Sequence, residues 1–380
     1  MAVQIHKTKK FLGLEAFADI APALIKNQSY AILTHPAAVD FCFRHSTTII
    51  EKVLGYPPKA YFAPQHGWYA STQDNMIEWE GQEQNPVPIY SLYSNVRKPT
   101  AKMLEGIQWM IVDLVDVGCR VYTFIQTLKL VMDACCDHNI NILVLDRPNP
   151  NGQKQEGPLL QPGYESFVGL TNIPLLHGMS IGEIAAFYAE TISVNLHVIS
   201  IHKKAKKKPR IPWVMPSPNM PTLETARVYA GSVLFEGTTI SEGRGTTRPF
   251  ELIASPKTNS KKLSEWLNSL NLPDVIFREC AFEPTFHKFR GQLCYGVQIH
   301  PTGKNFRPVL TGIALLLGFS RYSKDFAWKN PPYEYETQKM PIDIISGSSQ
   351  LREWIEKGKP LEEFQKWIDQ EIKLFRNPIQ

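Results

Sequence analysis

From residue 30 onward, short runs of β-branched and aromatic residues alternate with longer segments of helical spacing. Continuous apolar runs of this length predict buried strands; they are YAILT (30–34), AYFAP (60–64), WMIVDLV (109–115), ILVLDR (142–147) and LHVISI (196–201). The clearest helix is predicted over 121–136, where seven apolar residues share one face. Alternating strands and helices form right-handed crossover units, so the pattern predicts an α/β fold with a parallel sheet covered on both faces.

Polar residues follow directly behind three of these strands, in the segments QHG (65–67), DVGCR (116–120) and RPNPNG (147–152). In open parallel sheets, ligands bind beyond the carboxyl ends of the strands, because loops and helix N-termini converge there. We therefore predict that one crevice is lined by His66, Asp116, Arg120, Arg147 and Asn149.

The character of the chain changes near residue 215. The segment MPSPNMPTLETA contains three prolines, which is typical of a domain border. We predict a first domain over 1–224 and a smaller α+β domain over 225–380. The second domain is predicted to contain a helix near 259–270, strands through GQLCYGVQIHP, and helices in VLTGIALLLGF and in the segment that begins at 361.

The composition is that of a globular protein, with 43% hydrophobic and 20% charged residues among 380. The net charge is +5, and one run, KKAKKKPR (203–210), contributes six positive charges. This run has no interleaved aromatic residues, so it predicts a solvated loop and no nucleic-acid partner.

The six cysteines show no CxxC spacing, which indicates reduced thiols rather than disulfides. Four candidate metal ligands, His66, Asp74, Asp116 and His177, lack the paired spacing of a metal site, so no metal is predicted. The N-terminus lacks the apolar stretch of a signal peptide, and no apolar segment is long enough to span a membrane. We therefore expect a cytoplasmic protein without a membrane partner.

The segment GMSIG (178–182) matches the Gly-x-Ser-x-Gly turn that carries the nucleophile of α/β hydrolases, so a serine esterase is one hypothesis. That turn needs a strand running directly into it, but Pro174 interrupts the preceding apolar residues. The alternative is a capping box, in which Ser180 and Glu183 satisfy backbone N–H groups at a helix N-terminus. We favour the capping box.

A segment rich in Gly, Thr and charge follows the predicted border and supplies Glu236, Glu242, Arg244 and Arg248 among small residues. Arginine forks suit a carboxylate ligand, and the same residues also suit a salt-bridge network within a loop. The glycines match neither a dinucleotide fingerprint nor a Walker loop, so no nucleotide cofactor is predicted.

Taken together, these motifs resemble the exo-β-N-acetylmuramidase family, long described as a domain of unknown function. The matching segments run in order along almost the whole chain, and among them are LTHPAAVD, PQHGWYA, DLVDVGCRVYTFIQTL, LDRPNPNG, PLLHGMSIGE and SEGRGTTRPFEL. The resemblance implies a Rossmann-like domain joined to a smaller α+β domain, with the active cleft between them. It also implies an enzyme that removes N-acetylmuramic acid from the non-reducing end of peptidoglycan fragments, without a metal or organic cofactor.

One position departs from the pattern of the family. The family commonly has Pro-Glu-His-Gly where this chain has Pro64, Gln65, His66 and Gly67, and that glutamate is the family's leading catalytic candidate. An amide cannot donate or accept a proton as a carboxyl group does. Because glycoside hydrolysis normally needs two carboxyl groups, the role has either moved in this branch or been lost.

We look for the missing carboxyl groups among the other acids of the motifs. Asp74 or Glu242 is assigned as the acid that protonates the leaving oxygen, Asp116 as the second carboxylate, and His66 as an orienting or proton-sharing partner. Gln65 is expected to donate a hydrogen bond to the acetamido group of the sugar. The other predicted substrate-binding residues are Arg120, Arg244 and Arg248 for the lactyl carboxylate, Trp68 or Tyr69 for stacking on the ring, and Tyr122, Arg147 and Asn149 elsewhere in the cleft.

Three functions stay open at this point. The first is a cytoplasmic exo-glycosidase that acts on small muramic acid fragments, although many relatives look secreted. The second is a binding protein that keeps the sugar pocket without turnover, an alternative that rests on Gln65. The third is the serine esterase that uses Ser180.

Overall fold

The computed structural model describes residues 3–73, 77–81, 86–202 and 213–375. In these ranges the strands are β1 (Val3–His6), β2 (Tyr30–Thr34), β3 (Ala60–Ala63), β4 (Ile89–Ser91), β5 (Trp109–Asp113), β6 (Asn141–Leu145), β7 (Glu156–Leu159), β8 (Pro174–Leu176), β9 (Leu196–Ile199), β10 (Leu252–Ser255), β11 (Val275–Phe282) and β12 (Cys294–Pro301). The α-helices are α1 (Phe17–Ile25), α2 (Ser46–Leu54), α3 (Phe124–Asp137), α4 (Ile181–Tyr188), α5 (Leu223–Ser232), α6 (Ser260–Ser269), α7 (Pro308–Tyr322), α8 (Pro341–Ser346), α9 (Gln350–Glu356) and α10 (Leu361–Leu374). Short 3₁₀ helices occur at Gly13–Ala16, Lys102–Leu104 and Val233–Gly237.

Seven strands form one parallel sheet in the order β1-β9-β6-β5-β2-β3-β4. The central strands are apolar on both faces because helices cover both sides. Along β5, Ile111 packs in the core beside α1 and α2, whereas Met110 and Val112 pack in the core beside α3 and α4. The predicted α/β class with a covered parallel sheet is confirmed.

The five predicted strands correspond to β2, β3, β5, β6 and β9, and the predicted helix over 121–136 corresponds to α3. That helix begins only at Phe124, because Val121, Tyr122 and Thr123 form a buried turn before it. The apolar pattern does not predict β1, since most of its residues are exposed and it pairs only with β9 at the edge of the sheet.

The second half of the chain contains an antiparallel sheet in the order β10-β12-β11, with α6 and α7 packed near it. Every residue from 308 to 319 in α7 is buried. Helices α5 and α7 approach closely, and a Cβ on Gly231 would lie 1.9 Å from the carbonyl oxygen of Pro308. A glycine is therefore required at this crossing.

One hydrophobic core extends from α3 and α4 to α7, so it includes residues on both sides of the predicted border at 224. The border itself stays a prediction. The fully buried Arg120 also joins distant segments, because Nη1 donates to the carbonyls of Pro158 (2.9 Å) and Ile173 (2.8 Å) and Nη2 to that of Ile345 (3.1 Å). Within the described ranges, none of the helices combines the length and the apolar character needed to cross a membrane.

Candidate active site

A mostly buried pocket, here called the inner pocket, lies between loops of the parallel sheet and segments that follow residue 224. Together with its opening to solvent, it contains about 420 Å³ of empty space. Its polar lining residues are Gln65, His66, Tyr122, Thr123, Ser217, Asn219, Tyr229, Glu236, Arg244, Tyr333 and Glu334. Four of the residues predicted from the sequence are among them: Gln65, His66, Tyr122 and Arg244. Residues from both sides of position 224 therefore meet in one site.

The turn after β3 brings two of these side chains into the inner pocket. The strand ends at Ala63, and both His66 (φ 74°) and Gly67 (φ 83°) have left-handed backbone conformations. A left-handed histidine is uncommon and costs conformational energy. The turn places Gln65 and His66 side by side in the lining.

His66 is neutral near physiological pH. Its Nδ1 lies 2.8 Å from the carbonyl oxygen of Thr72, which only accepts, so Nδ1 carries the hydrogen and Nε2 is left as an acceptor. Burial lowers the pKa of His66 to about 4, and the charge of Arg244 lowers it as well. The imidazole can thus accept a hydrogen bond in the pocket; its orienting role stays a prediction.

Gln65 is held by one strong hydrogen bond. The hydroxyl of Thr123, at the start of α3, donates to Oε1 of Gln65 at 2.6 Å. Since the amide oxygen accepts from Thr123, the group that Gln65 can offer to a ligand is its NH₂ donor. This geometry is compatible with the predicted contact to an acetamido oxygen.

Glu236 lies in the inner pocket between a cation and a phenol. Its Oε1 is 2.7 Å from Nη2 of Arg244, and its Oε2 accepts from the Tyr333 hydroxyl at 2.6 Å. The carboxylate is only 5% exposed, so both contacts act with little screening by water. A guanidinium and a hydroxyl that both donate to a carboxylate stabilise its charged form.

Glu334 is the second carboxyl group of the inner pocket, and its environment is different. Burial, together with the charge of nearby Glu236, raises its pKa to about 7 although a hydrogen bond from Tyr93 lowers it. The Tyr93 hydroxyl donates to Oε2 of Glu334 at 2.8 Å. Glu334 is 4% exposed, has a left-handed backbone (φ 45°) and lines the pocket.

The inner pocket thus combines Glu236, whose two oxygens contact a guanidinium and a hydroxyl, with Glu334, whose raised pKa lets it keep a proton near neutral pH. Two carboxyl groups whose environments separate their protonation are the usual basis of acid–base division in one site. Such a pair can protonate a leaving oxygen and stabilise positive charge or activate water, as glycoside hydrolysis requires.

Asp116, the predicted second carboxylate, does not line the inner pocket. Its Oδ2 accepts from the backbone N–H of Gly118 at 2.6 Å and lies 3.1 Å from Nε2 of His177. These contacts fix the turn that follows β5. Asp116 is therefore not one of the carboxyl groups that line the inner pocket.

Three more residues of the predicted crevice also stabilise loops. Arg147 forms a two-pronged ion pair with Asp113 at the end of β5. Asn149 accepts from the backbone N–H of Asn151 at 2.8 Å. Arg120 is enclosed by backbone carbonyls and has no exposed surface with which to reach a lactyl carboxylate. Of the five residues predicted to share one crevice, His66 alone lines the inner pocket, because polar residues behind strands also serve to close the turns there.

Glu242, one of the two predicted acids, is fully buried beside the pocket. Although burial alone would raise its pKa, the charges of Lys288, His287 and Arg244 lower it to about 2. Its Oε2 accepts from Nζ of Lys288 at 2.7 Å, and its Oε1 is 3.2 Å from Nε of Arg244. A carboxyl group with this pKa has no proton to donate at neutral pH. Its contacts instead hold Arg244 in place.

Three further predicted residues that the structure describes, Arg248, Trp68 and Tyr69, fall outside the inner pocket. Arg248 pairs with Glu251 at 3.1 Å and its side chain is half exposed. Trp68 packs against Tyr61 with 5.1 Å between ring centroids, and Tyr69 is 71% exposed. Asp74, the alternative acid, and the basic run 203–210 lie outside the described residues.

Ser180 is the N-cap of α4. Its hydroxyl accepts from the backbone N–H of Glu183 at 3.3 Å, and its own N–H donates to Oε2 of Glu183 at 2.9 Å. The predicted capping box is confirmed, and it accounts for the motif without a catalytic serine. Among the described residues, no three His, Cys, Asp or Glu side chains are grouped so as to hold a metal ion.

Sequence reasoning missed the two carboxyl groups of the inner pocket. Glu236 stands in the charged segment noted above, but nothing in its spacing separates it from Glu242. Glu334 lies in PPYEYE near the C-terminus, and its partner Tyr93 is 241 positions away. A long-range contact of this kind leaves no local pattern in one sequence.

Comparisons with known proteins agree on one family. The profile of the N-terminal part of the exo-β-N-acetylmuramidase NamZ matches residues 30–224, and that of the C-terminal part matches 227–380. The chain is 38% identical over 366 residues to the peptidoglycan β-N-acetylmuramidase NamZ of Bacillus subtilis (strain 168), which covers 94% of this chain and 86% of that protein.

The fold is similar to two crystal structures of DUF1343 family proteins from Bacteroides fragilis, each 26% identical to this chain. The TM-scores are 0.82, with 95% of both chains covered, and 0.73, with 96% of both covered.

Proposed function

Because this chain belongs to the exo-β-N-acetylmuramidase family, we propose that it is an exo-acting glycoside hydrolase that releases N-acetylmuramic acid from the non-reducing end of peptidoglycan fragments. The family predicted from the sequence motifs is confirmed, and with it the class of glycoside hydrolase. The assignment of roles to single residues is part of the proposal.

The observation that carries the proposal is the pair of carboxyl groups in the inner pocket. Glu334 is the acid: it donates its proton to the oxygen that bridges the two sugars, and the bond from that oxygen to the anomeric carbon breaks with its electron pair left on the oxygen. Its raised pKa supports this role, because a general acid must hold its proton at the working pH.

Glu236 is the second carboxylate. In either stereochemical course of the reaction, this group faces the anomeric carbon, where it attacks the carbon or takes a proton from the attacking water. Overall, water supplies the hydroxyl group of the released sugar and the proton that restores Glu334. Arg244 and the Tyr333 hydroxyl orient Glu236 through contacts to its two oxygens.

With Glu334 and Glu236 in these roles, Gln65 does not have to donate or accept a proton. In this arrangement, the acid role that the family pattern assigns to position 65 has moved to Glu334, and the NH₂ group of Gln65 binds the acetamido oxygen of the sugar. Of the three arginines predicted to bind the lactyl carboxylate, Arg244 lines the inner pocket. It is therefore the residue to which we assign this contact.

The test is hydrolysis of a defined disaccharide, N-acetylmuramic acid β-linked to N-acetylglucosamine, by the purified protein. We expect release of free N-acetylmuramic acid from the wild type, and losses of about 10²-fold or more in Glu334→Gln and Glu236→Gln. Glu265→Gln, which changes an exposed glutamate on α6, is the matched control and should keep wild-type activity.

If the wild type binds the disaccharide in calorimetry without hydrolysing it, the protein is a binding protein and the proposal fails. If Glu334→Gln and Glu236→Gln hydrolyse it at the wild-type rate, the enzyme class stands and the assignment of the two residues is contradicted.

A further inference from the structure

A second hollow of about 890 Å³ adjoins the inner pocket and opens towards solvent. We call it the outer hollow. Its lining includes Ser94, Arg97, Ser166, Phe167, Glu334 and Tyr335.

The two spaces are adjacent along two backbone segments. In the first segment, Phe167 lines the outer hollow and the next residue, Val168, lines the inner pocket. In the second segment, Tyr335 lines the outer hollow and Glu334 lines both spaces. Glu334 is therefore a residue shared by the two spaces.

An ordered platform forms one side of the outer hollow. The guanidinium of Arg97 lies 4.3 Å from the ring centroid of Tyr93, 4.4 Å from that of Tyr335 and 5.3 Å from that of Phe167. Glu78 accepts from Nη2 of Arg97 at 3.3 Å and from the Tyr335 hydroxyl at 3.1 Å. Stacking and pairing hold the arginine rigidly and neutralise its charge.

Such a surface suits an uncharged sugar. Tyr335 is 48% exposed, so its ring offers apolar area to the C–H face of a pyranose. The hydroxyls of Ser94 and Ser166 in the same lining provide hydrogen-bond partners for sugar hydroxyls. The lining also contains Glu165 and Glu336, whose oxygens can accept from sugar hydroxyls, so the two aromatic rings stand among polar groups that can position a sugar.

We propose that the outer hollow is the aglycone subsite, which binds the N-acetylhexosamine on the leaving side of the cleaved bond. The inference rests on the proposed function. An acid that protonates the bridging oxygen must stand between the two sugars, and Glu334 is shared by the two spaces. An exo-acting enzyme encloses the terminal sugar and leaves the rest of the glycan open to solvent. The terminal sugar is therefore assigned to the inner pocket, which is the more enclosed of the two spaces.

The test compares two substrates with the same terminal sugar. One is the N-acetylmuramyl-N-acetylglucosamine disaccharide; the other is N-acetylmuramyl fluoride, whose leaving group is too small to use the outer hollow. In Phe167→Ala, we expect kcat/KM for the disaccharide to fall roughly tenfold further than kcat/KM for the fluoride, because one aromatic contact is lost.

Tyr335→Asn is the second variant. It removes an exposed ring, and asparagine tolerates the left-handed backbone of this position (φ 70°), so the fold is not at risk. The same selective loss is expected. Tyr295→Ala, which removes a tyrosine 41% exposed on β12, is the matched control and should leave both substrates unaffected.

Equal losses for the two substrates in both variants would overturn the assignment, because the residues would then serve the terminal sugar. Unchanged kinetics for both substrates would overturn it as well. Failure of the wild type to cleave either substrate would instead contradict the proposed function, so the two failures are distinguishable.

Discussion

Replacement of Glu334 by glutamine tests the proposed acid through both stability and rate. In the folded protein, burial raises the pKa of Glu334 from 4.5 to about 7. Between these two pH values the folded state binds a proton that the unfolded state has released. The free energy of unfolding therefore falls as pH rises through this window.

The size of the effect follows from the shift. One pKa unit corresponds to about 1.4 kcal/mol, so ionising Glu334 in the folded state costs about 3 kcal/mol above neutral pH. Glu334→Gln has no proton to lose, and its amide oxygen can still accept from Tyr93. The free energy of unfolding of the variant minus that of the wild type should therefore increase by about 3 kcal/mol from about pH 4 to about pH 8.

The quantity to measure is the difference in free energy of unfolding between variant and wild type, from urea titrations at both pH values. The wild type alone is not informative, because buried His66, with its pKa lowered to about 4, has the opposite pH dependence. The contribution of His66 to the free energy of unfolding increases as pH rises from about 4 to about 6.5. Since both proteins contain His66, its contribution cancels in the difference.

The rate provides the second readout. Wild-type kcat/KM should decline above about pH 7, where Glu334 loses its proton. In Glu334→Gln, the rate should be about 10² to 10⁴ times lower, and this decline at alkaline pH should be absent. A stability difference that is the same at both pH values, or a variant with an unaltered pH–rate profile, would refute the reasoning. Glu265→Gln should show neither effect.

Three further predictions follow from the same contacts. Tyr93→Phe removes the donor that stabilises ionised Glu334, so the alkaline limb should move up by about one pH unit, and a limb that stays in place would contradict this contact. Gln65→Glu should not raise kcat on the disaccharide, because the acid has moved; a tenfold gain, measured against wild type, would show that position 65 keeps the role. Arg120→Met should lower the free energy of unfolding by about 3 kcal/mol or more, because three buried carbonyls lose their donor, and should leave the KM of the remaining folded enzyme unaltered.

The sheet could be predicted from the sequence because its strands are local and buried on both faces. Five apolar runs identify β2, β3, β5, β6 and β9, and the helical spacing identifies α3. β1 could not be predicted in this way, since an exposed edge strand has no apolar pattern.

The site was predicted only in part. Gln65 and His66, predicted because ligands bind at the ends of parallel strands, do line the inner pocket, and their roles stay predictions. The same rule misplaced Asp116, whose oxygen closes a turn on Gly118 instead of facing the pocket. Glu334 was not identified, because the burial that raises its pKa exists only after the chain has folded.

The central claim is that Glu334 stands between the two sugars and protonates the oxygen that joins them. The most direct measurement is a crystal structure of the Glu334→Gln variant with the N-acetylmuramyl-N-acetylglucosamine disaccharide bound. We predict the muramyl ring in the inner pocket, the glucosamine ring in the outer hollow, and the amide of residue 334 about 3 Å from the bridging oxygen. A disaccharide whose bridging oxygen lies beside another carboxyl group, with residue 334 out of reach, would contradict the account.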